Sequence, residues 1–418
     1  MKSLMTYLNH IKQYFIVPEV KEQNPVLKKN LSRIENRIKG IIQFLKKTHV
    51  SMKDQSVKLN DLPWFLLIGP VGSGKTTFLA HSGMKYILNK KIKPEQLNRM
   101  PSSENCDWWV THHTVLIDVP GNYIENKKKL IRQMWRHFLS QVYHQRGNQG
   151  ICGIVLTLSL PDLMDKNRRE IDAVQIRSAL SDLNNYFGDL PIYCSITKCD
   201  TIPGFQEFFS EYGRDELTQV FGVSIPPSSD LSLSDVVNKR FHALIKRLNE
   251  QLISRLHQEQ NPYAKIHIKD FPLQIEHVKE AFLEFLKLWS KERDPKLRGI
   301  YLNSAIQNTE EKQAGPPQIV LASTYENALS ILKAPIMPGQ PYFIKQFLLQ
   351  ALAPMNPASD ILKSSEHSSW LNAAIFTVAA LLALFSLLYL GDYSIYREPH
   401  TNSSTSVALS DLKSDKNF

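Results

Sequence analysis

The segment GPVGSGKT, residues 69–76, constrains the fold of this chain more than any other feature. It matches the phosphate-binding pattern G-x-x-x-x-G-K-[ST] in full, follows the apolar run WFLLI and precedes a stretch with helical character. Glycines let the backbone wrap closely around phosphate oxygens, while the N–H groups of the loop and of the helix start supply a positive field. The sequence therefore predicts a strand, a loop and a helix that together bind a nucleotide.

Each residue of this loop, and Thr77 after it, is a candidate nucleotide contact. Lys75 is predicted to reach the β- and γ-phosphates, and the Thr76 hydroxyl is predicted to bind Mg²⁺. The other candidates are the residues that precede the lysine, namely Gly69, Pro70, Val71, Gly72, Ser73 and Gly74. The competing interpretation is a loop of this type whose pocket no longer holds a ligand.

The stretch VLIDVPGN, residues 115–122, predicts a second buried strand that ends at Asp118 and a tight turn at Gly121. The carboxylate of Asp118 is predicted to hold Mg²⁺, directly or through water, and the Gly121 N–H to contact the terminal phosphate. Asn122 stands where an efficient GTP hydrolase often carries Gln to orient the attacking water. Because Asn is one methylene shorter, we expect slow hydrolysis without a partner. The candidate catalytic residues are Lys75, Asp118 and Asn122.

Two threonines lie between these motifs, Thr111 and Thr114. Either is a candidate for a switch residue that contacts Mg²⁺ in the nucleotide-bound state. The alternative interpretation is that both are ordinary residues of the strand.

The tetrapeptide TKCD, residues 197–200, fits the pattern [NT]-K-x-D at the end of a third apolar run. In GTP-binding folds the carboxylate, here Asp200, accepts two hydrogens from the guanine edge, and the lysine, here Lys198, packs over the base. Thr197 completes the motif. Adenine presents the wrong donor pattern to such a carboxylate, so GTP is favoured over ATP as the ligand, and both stay open.

Apolar runs and helical patterns alternate from Pro63 to about Gly222. The short runs WFLLIG, TVLIDV, GIVLTLSL and IYCSIT are separated by helical patterns after Lys75, near 124–146 and near 166–187. This alternation predicts an α/β fold that is P-loop NTPase-like (GTPase-like), with a parallel sheet and helices on both faces. We expect this domain to span 60–230. A mainly helical cytoplasmic domain follows at 231–360, with a possible strand at 297–306.

The amino-terminal segment 1–59 is basic and is predicted to be helical. Residues 1–60 hold twelve Lys and Arg against four Asp and Glu, so they carry +8 of the net charge of +10. Apolar residues recur every three or four positions over 24–48, which predicts an amphipathic helix. Docking on the next domain is favoured over binding to anionic lipid. Charge concentrated in one end segment is unlike a nucleic-acid-binding face, so no nucleic-acid partner is expected.

The run LNAAIFTVAALLALFSLLYL, residues 371–390, contains no charged residue. At 1.5 Å per residue a helix of this length spans roughly 30 Å, which matches a bilayer core. The sequence therefore predicts one transmembrane helix at 369–391 and a short polar tail at 392–418. The expected arrangement is a chain that crosses a membrane once, with its bulk cytoplasmic and in contact with membrane lipid; the resemblance described next implies that this is a bacterial inner membrane.

Several blocks of the sequence occur in the order seen in the IcmF/TssM family, and the chain resembles that family over roughly residues 60–350. The blocks are LPWFLLIGPVGSGKTT, CDWWVTHHTVLIDVPGNY, GIVLTLSLPDLM, ITKCDTIPGFQEFF, FPLQ and LRGIYLNSAIQ. The family comprises inner-membrane components of bacterial type VI secretion and of the Dot/Icm type IVB system. The family usually shows DTAGRY where this chain has DVPGNY, so the usual Arg is absent there.

The resemblance implies a P-loop at Gly69–Thr76, a magnesium-site carboxylate at Asp118, a base contact at Thr197–Asp200 and other secretion-system membrane proteins as partners. Family members typically carry two membrane helices before the P-loop domain, so this chain looks like a shortened member. The expected function is a nucleotide-binding scaffold or switch with slow hydrolysis. Two alternatives are an autonomous GTPase of the signal-recognition type and a truncated remnant without function.

Overall fold

The computed structural model describes residues 25–52, 55–87, 106–125, 128–147, 150–227, 231–305 and 341–350. The strands are β1 His49–Met52, β2 Gln55–Lys58, β3 Trp64–Ile68, β4 Asp107–Val110, β5 Val115–Asp118, β6 Gly153–Ser159, β7 Ile192–Thr197, β8 Gly222–Ser224 and β9 Leu297–Leu302. The α-helices are α1 Pro25–Lys47, α2 Lys75–Ala80, α3 Gly121–Glu125, α4 Lys129–Arg146, α5 Leu160–Met164, α6 Lys166–Phe187, α7 Phe205–Phe208, α8 Arg214–Leu217, α9 Leu233–Gln258, α10 Pro262–Trp289 and α11 Lys345–Gln350.

Seven of the strands form one mixed sheet in the order β4-β5-β3-β6-β7-β9-β8. The five central strands, from β5 to β9, run parallel to one another, and the two edge strands β4 and β8 are antiparallel to their neighbours. Strands β1 and β2 form a separate antiparallel hairpin. The prediction of a parallel sheet is therefore correct for the five central strands. The two antiparallel edge strands were not predicted.

The strands are apolar on both faces because helices cover both faces of the sheet, as the alternation predicted. Trp64 and Leu66 of β3 face the larger core, where they pack with residues of α1, α4, α6 and α10. Phe65 and Leu67 face the smaller core, together with Phe78 of α2 and apolar residues of α11. Successive side chains of a strand point to opposite faces, so each residue of β3 is buried.

Helix α1 docks on the sheet domain through its apolar face. Ile38, Ile42 and Leu45 are almost fully buried in the larger core, and the helix packs along α4. Arg37 of α1 also donates a hydrogen bond of 2.6 Å to Asp107 at the start of β4. These contacts agree with docking, the interpretation that the apolar spacing favoured.

Helices α9 and α10 form a long hairpin that packs on α6 and α7, and the chain then returns to the sheet as β9. Strand β9 lies between β7 and β8. The predicted division near residue 230 therefore separates two stretches of sequence that contribute strands to the same sheet.

All five parallel strands end at the same edge of the sheet, which is where α/β proteins place their ligand sites. Strand β3 leads into the glycine-rich loop, β5 ends at Asp118, and β7 ends at Thr197. This edge gathers the candidate residues from three distant parts of the sequence.

Within the described part of the chain, no helix is both long enough and apolar enough to span a bilayer. The predicted transmembrane helix at 369–391 and the tail at 392–418 lie outside the described residues.

Candidate nucleotide-binding site

The glycine-rich loop joins β3 to α2 in the conformation that a phosphate-binding loop needs. Gly72 and Gly74 have φ angles of +81° and +79°, in the left-handed region that favours glycine. A side chain on Gly69 would place its Cβ 2.3 Å from the Thr157 carbonyl oxygen, so this position has no space for one. The loop therefore depends on its glycines for both backbone shape and close packing against β6.

Lys75 is buried inside the loop. Its Nζ donates hydrogen bonds to the carbonyl oxygens of Gly69 at 2.8 Å and Pro70 at 3.1 Å, and to Ser73 Oγ at 3.4 Å. Burial lowers the pKa of the ammonium from its ordinary value, and the nearby Asp118 carboxylate opposes that shift. The loop thus holds a cation at the position where a phosphate would need one.

Thr76 and Asp118, the two residues predicted to hold Mg²⁺, meet at the end of β5. Thr76 Oγ1 donates a hydrogen bond of 2.6 Å to Asp118 Oδ2. The carboxyl group is fully buried, and its Oδ1 has no hydrogen-bond partner among the described residues. Burial raises the pKa of Asp118 to about 6, although the Lys75 charge and the Thr76 hydrogen bond act in the opposite direction.

These two side chains fit Mg²⁺, because a hydroxyl and a carboxylate supply the hard oxygen ligands that this ion prefers. The unpartnered Oδ1 gives the carboxylate a free lone pair in a buried position. In the described part of the chain, no cluster of three or more His, Cys, Asp or Glu side chains could hold a metal. An ion here would therefore be held by Thr76 and Asp118, together with phosphate oxygens and water.

Gly121 brings the start of α3 into contact with the glycine-rich loop. A Cβ on this residue would lie 2.5 Å from the Val71 backbone nitrogen and 2.7 Å from the Pro70 carbonyl carbon. The adjacent Asn122 is exposed on the first turn of α3. The structure thus brings the Gly121 backbone to the loop and leaves the Asn122 side chain open to solvent.

Thr197, the last residue of β7, holds the glycine-rich loop in place through hydrogen bonds. Its Oγ1 donates to the Ser73 carbonyl oxygen at 2.7 Å and to the Leu158 carbonyl oxygen at 3.2 Å. Ser73 is itself buried, and its hydroxyl lies 3.0 Å from Thr157 Oγ1. The side chains of Thr197 and Ser73 therefore fix the loop against the sheet, a role that the motif alone did not predict.

Lys198 and Asp200 lie just beyond the end of β7. Lys198 is exposed and has a φ of +59°, in the left-handed region. Asp200 Oδ1 accepts a hydrogen bond of 2.5 Å from Ser304 Oγ, which follows β9. Sequence reasoning missed Ser304 because its partner is more than one hundred residues away, and only the pairing of β7 with β9 brings the two together.

The remaining loop candidates differ in exposure. Pro70 is buried, whereas Val71 and Gly72 are exposed at the tip of the loop. Thr77 is half-buried in the first turn of α2, next to Thr76.

The hypothesis that Thr111 or Thr114 contacts Mg²⁺ is wrong in this structure. Thr111 Oγ1 donates to the Thr114 carbonyl oxygen at 3.1 Å, and Thr114 Oγ1 donates to the Pro63 carbonyl oxygen at 3.2 Å. Both residues belong to the turn that precedes β5, whereas Asp118 ends that strand. A strand rises about 3.3 Å per residue, which separates Thr114 from Asp118 by roughly 13 Å. The two hydroxyls stabilise the β4–β5 turn.

The strand order, the glycine-rich loop and the Thr76–Asp118 pair define an α/β protein of the P-loop class. A family model described as the IcmF-related N-terminal domain matches residues 130–379, more than half of the chain. The chain belongs to the IcmF/TssM family. It is 30% identical over 376 residues to "Type VI secretion system component TssM1" of Pseudomonas aeruginosa, an alignment that covers 85% of this chain and 33% of the relative. The chain thus spans about a third of that relative's length.

Similar solved structures include two of the signal recognition particle receptor SRb from Chaetomium thermophilum. The structure of SRb with GDP and Mg is 21% identical, and the match covers 33% of this chain and 64% of that chain with a TM-score of 0.21. The one titled with GDP is 16% identical, covers 60% and 95%, and has a TM-score of 0.24. A mutant of NFeoB from S. thermophilus, bound to GDP, is 12% identical, covers 56% and 92%, and has a TM-score of 0.22. Because these scores are low, the strand order and the loop of this chain define its fold.

Proposed function

We propose that the loop binds a magnesium-bound nucleoside triphosphate. The observation that carries this proposal is the contact of Thr76 with Asp118, whose second carboxylate oxygen is buried without a partner among the described residues. Lys75 lies in the same loop, held by carbonyl oxygens that phosphate oxygens would replace. Mg²⁺ would neutralise phosphate charge there, while the glycine-rich backbone supplies N–H donors.

Among nucleotides, GTP is favoured over ATP. Asp200 is a carboxylate three residues beyond Thr197, which contacts the loop, and the Ser304 hydroxyl donates a hydrogen bond to it. A carboxylate accepts hydrogens from the guanine edge, and the exposed Lys198 is available to pack over the base. Adenine offers no matching pair of donors, so its binding at this position would be weaker.

Hydrolysis at this site is slow unless a partner assists it. Asn122 is exposed, and its side chain is shorter than the Gln that orients water in efficient GTP hydrolases. Lys75 and Asp118, through Mg²⁺, would stabilise charge on the phosphates, but neither residue positions the attacking water. Such a site supports a nucleotide-dependent switch or scaffold better than a fast enzyme.

The switch belongs to a bacterial secretion machine of the type VI or type IVB (Dot/Icm) kind, at the inner membrane. Family membership and the TssM1 relative support this setting. The apolar run 371–390 and the basic segment 1–59 support a single-pass protein whose bulk is cytoplasmic. Its partners would be other membrane proteins of the machine and the lipid around them.

Competition binding and single-turnover hydrolysis on the full chain in lipid nanodiscs test this proposal. We expect GTP to compete better than ATP, and turnover to stay far below that of an efficient hydrolase. Lys75→Ala should abolish binding, whereas Lys246→Ala, which removes an exposed lysine of α9, should leave it unchanged. Fast unassisted turnover would contradict the switch, and equal binding by Lys75→Ala would contradict the site.

A further inference from the structure

We propose that Arg37 and Asp107 are positioning residues for the magnesium site, so that docking of α1 and loading with Mg²⁺-nucleotide are coupled. This inference rests on the proposed function and adds two residues that no motif assigns. Arg37 belongs to α1 and Asp107 begins β4, so the pair connects the amino-terminal helix to the edge of the sheet.

The sheet places Asp107 beside Asp118. Strands β4 and β5 are antiparallel, and Asp107 is the Cα partner of Asp118 in their register. Residues directly opposite each other in an antiparallel pair project to the same face, with Cβ atoms about 5 Å apart. Asp107 is therefore the carboxylate next to the Thr76–Asp118 pair, and its charge is one of the causes that raise the pKa of Asp118.

Arg37 neutralises this second carboxylate and fixes its position. Its Nη2 lies 2.6 Å from Asp107 Oδ1. Without the guanidinium, two neighbouring carboxylates would repel each other across the strand pair. With it, Asp107 is held near the site at lower electrostatic cost, and it is available to accept hydrogen bonds from water around an ion.

A purely structural role explains this ion pair poorly. The side chains of Arg37 and Asp107 are 42% and 26% exposed, and ion pairs this exposed contribute little to stability. Helix α1 is already anchored by Ile38, Ile42 and Leu45 in the core. The nearby Asp118 Oδ1, on which the proposed function also rests, is buried without a partner among the described residues and leaves a ligand position beside Asp107.

Docking of α1 and binding of Mg²⁺-nucleotide are coupled because both depend on the contact between Arg37 and Asp107. Loss of α1 from the sheet would remove Arg37 and leave Asp107 uncompensated beside Asp118. Conversely, an ion held by Thr76 and Asp118 would favour the arrangement in which Asp107 stays in place and Arg37 remains bound to it. Linkage requires that each event strengthens the other by the same factor.

The dissociation constant for GTP, measured with Mg²⁺ and again in EDTA, tests the pair on the full chain in nanodiscs. Asp107→Asn should weaken binding about 10-fold with Mg²⁺, as loss of a residue behind a metal ligand typically does, and less than 2-fold in EDTA. Arg37→Ala should weaken GTP binding with Mg²⁺ but not in EDTA. In the Asp107→Asn background, the same substitution should have no further effect. Lys39→Ala breaks the Glu35–Lys39 pair on the same helix and should change neither constant.

Hydrogen exchange of α1 supplies a second readout. Mg²⁺-GTP should slow exchange in the wild type, and this protection should be lost in Arg37→Ala. Equal weakening by Asp107→Asn with Mg²⁺ and in EDTA would overturn the pair's role in positioning, as would unchanged binding in both single variants. No binding by the wild type would overturn the proposed function and this inference together, whereas wild-type binding with unaffected variants would overturn the inference alone.

Discussion

Thr76 Oγ1 and Asp118 Oδ2 lie 2.6 Å apart, which joins the first turn of α2 to the end of β5. The two residues are 42 positions apart in the sequence, and the parallel pairing of β3 with β5 brings them together. The contact leaves the other carboxylate oxygen buried without a partner among the described residues. An ion bound here, as proposed, would take two of its ligands from Thr76 and Asp118.

The first prediction concerns pH and stability. Burial raises the pKa of Asp118 from 3.8 to about 6, so without ligand the folded state binds this proton more tightly than the unfolded state does. The stabilisation from this protonated group is complete below about pH 4 and is lost as pH rises through 6, a change of roughly 3 kcal/mol. Asp118→Asn should remove this dependence. Urea unfolding without nucleotide at pH 4.5 and pH 7 should show the variant gaining on the wild type as pH rises.

A constant difference between Asp118→Asn and the wild type at the two pH values would contradict the prediction. Asp270→Asn, which removes an exposed carboxyl group of α10, is the matched control and should show no comparable gain.

The second prediction concerns the contact of Gly121 with the loop. Gly121→Ala places a Cβ against the Val71 nitrogen and the Pro70 carbonyl carbon, both backbone atoms that cannot move alone. We expect a loss of about 1–3 kcal/mol in unfolding free energy and weaker nucleotide binding. The same change at Gly40, on α1, meets nothing within 4 Å and should stabilise the helix by about 1 kcal/mol. Thermal unfolding shows whether each variant is less or more stable than the wild type. A Gly121→Ala protein that is more stable would contradict the contact between Gly121 and the loop.

The third prediction concerns the hydrogen bonds by which Thr197, at the end of β7, holds the glycine-rich loop. Thr197→Val keeps the shape of the side chain but removes the hydrogen bonds to the Ser73 and Leu158 carbonyl oxygens. Leaving these buried groups without their donor should cost about 1–3 kcal/mol, whereas Thr197→Ser, which keeps the hydroxyl, should cost less. Urea unfolding compares the two variants. A loss in Thr197→Val no larger than that in Thr197→Ser would contradict a role for the hydroxyl beyond that of the methyl group.

The fourth prediction concerns the choice of base. Asp200→Asn replaces a carboxylate acceptor with an amide that presents N–H groups to the guanine edge. GTP affinity should fall roughly 100-fold or more, since the proposed pair of hydrogen bonds to the guanine edge is lost. Ser304→Ala removes only the hydroxyl that orients Asp200 and should have a smaller effect. Competition with xanthosine triphosphate checks the assignment, because this base should bind better to Asp200→Asn than to the wild type.

The sequence predicted the centre of the fold because local signals and tertiary structure agree there. The run WFLLI, the glycines and Lys75 define strand, loop and helix within a dozen residues, and Asp118 ends the next apolar strand. Each of these elements is specified by its own residues. The same holds for α6, which the periodicity placed at 166–187 and which the structure gives as Lys166–Phe187.

Long-range pairing accounts for what the sequence did not predict. Strand β4 runs antiparallel on the edge of the sheet, so nothing local in DWWV indicates that Asp107 lies opposite Asp118. Ser304 reaches Asp200 only because β9 inserts beside β7 after the α9–α10 hairpin. Thr111 and Thr114 lie in the expected interval of sequence, but the direction of β5 carries them to the opposite end of the strand from Asp118.

The most direct test of the central claim is a titration of Mg²⁺ at a fixed GTP concentration on the full chain in nanodiscs, with bound nucleotide measured in the wild type and in Asp118→Asn. We expect wild-type binding to rise steeply with Mg²⁺, and Asp118→Asn to bind weakly with little response to the ion. Wild-type binding that does not depend on Mg²⁺, or an equal response in Asp118→Asn, would contradict a magnesium-bound nucleotide at this site.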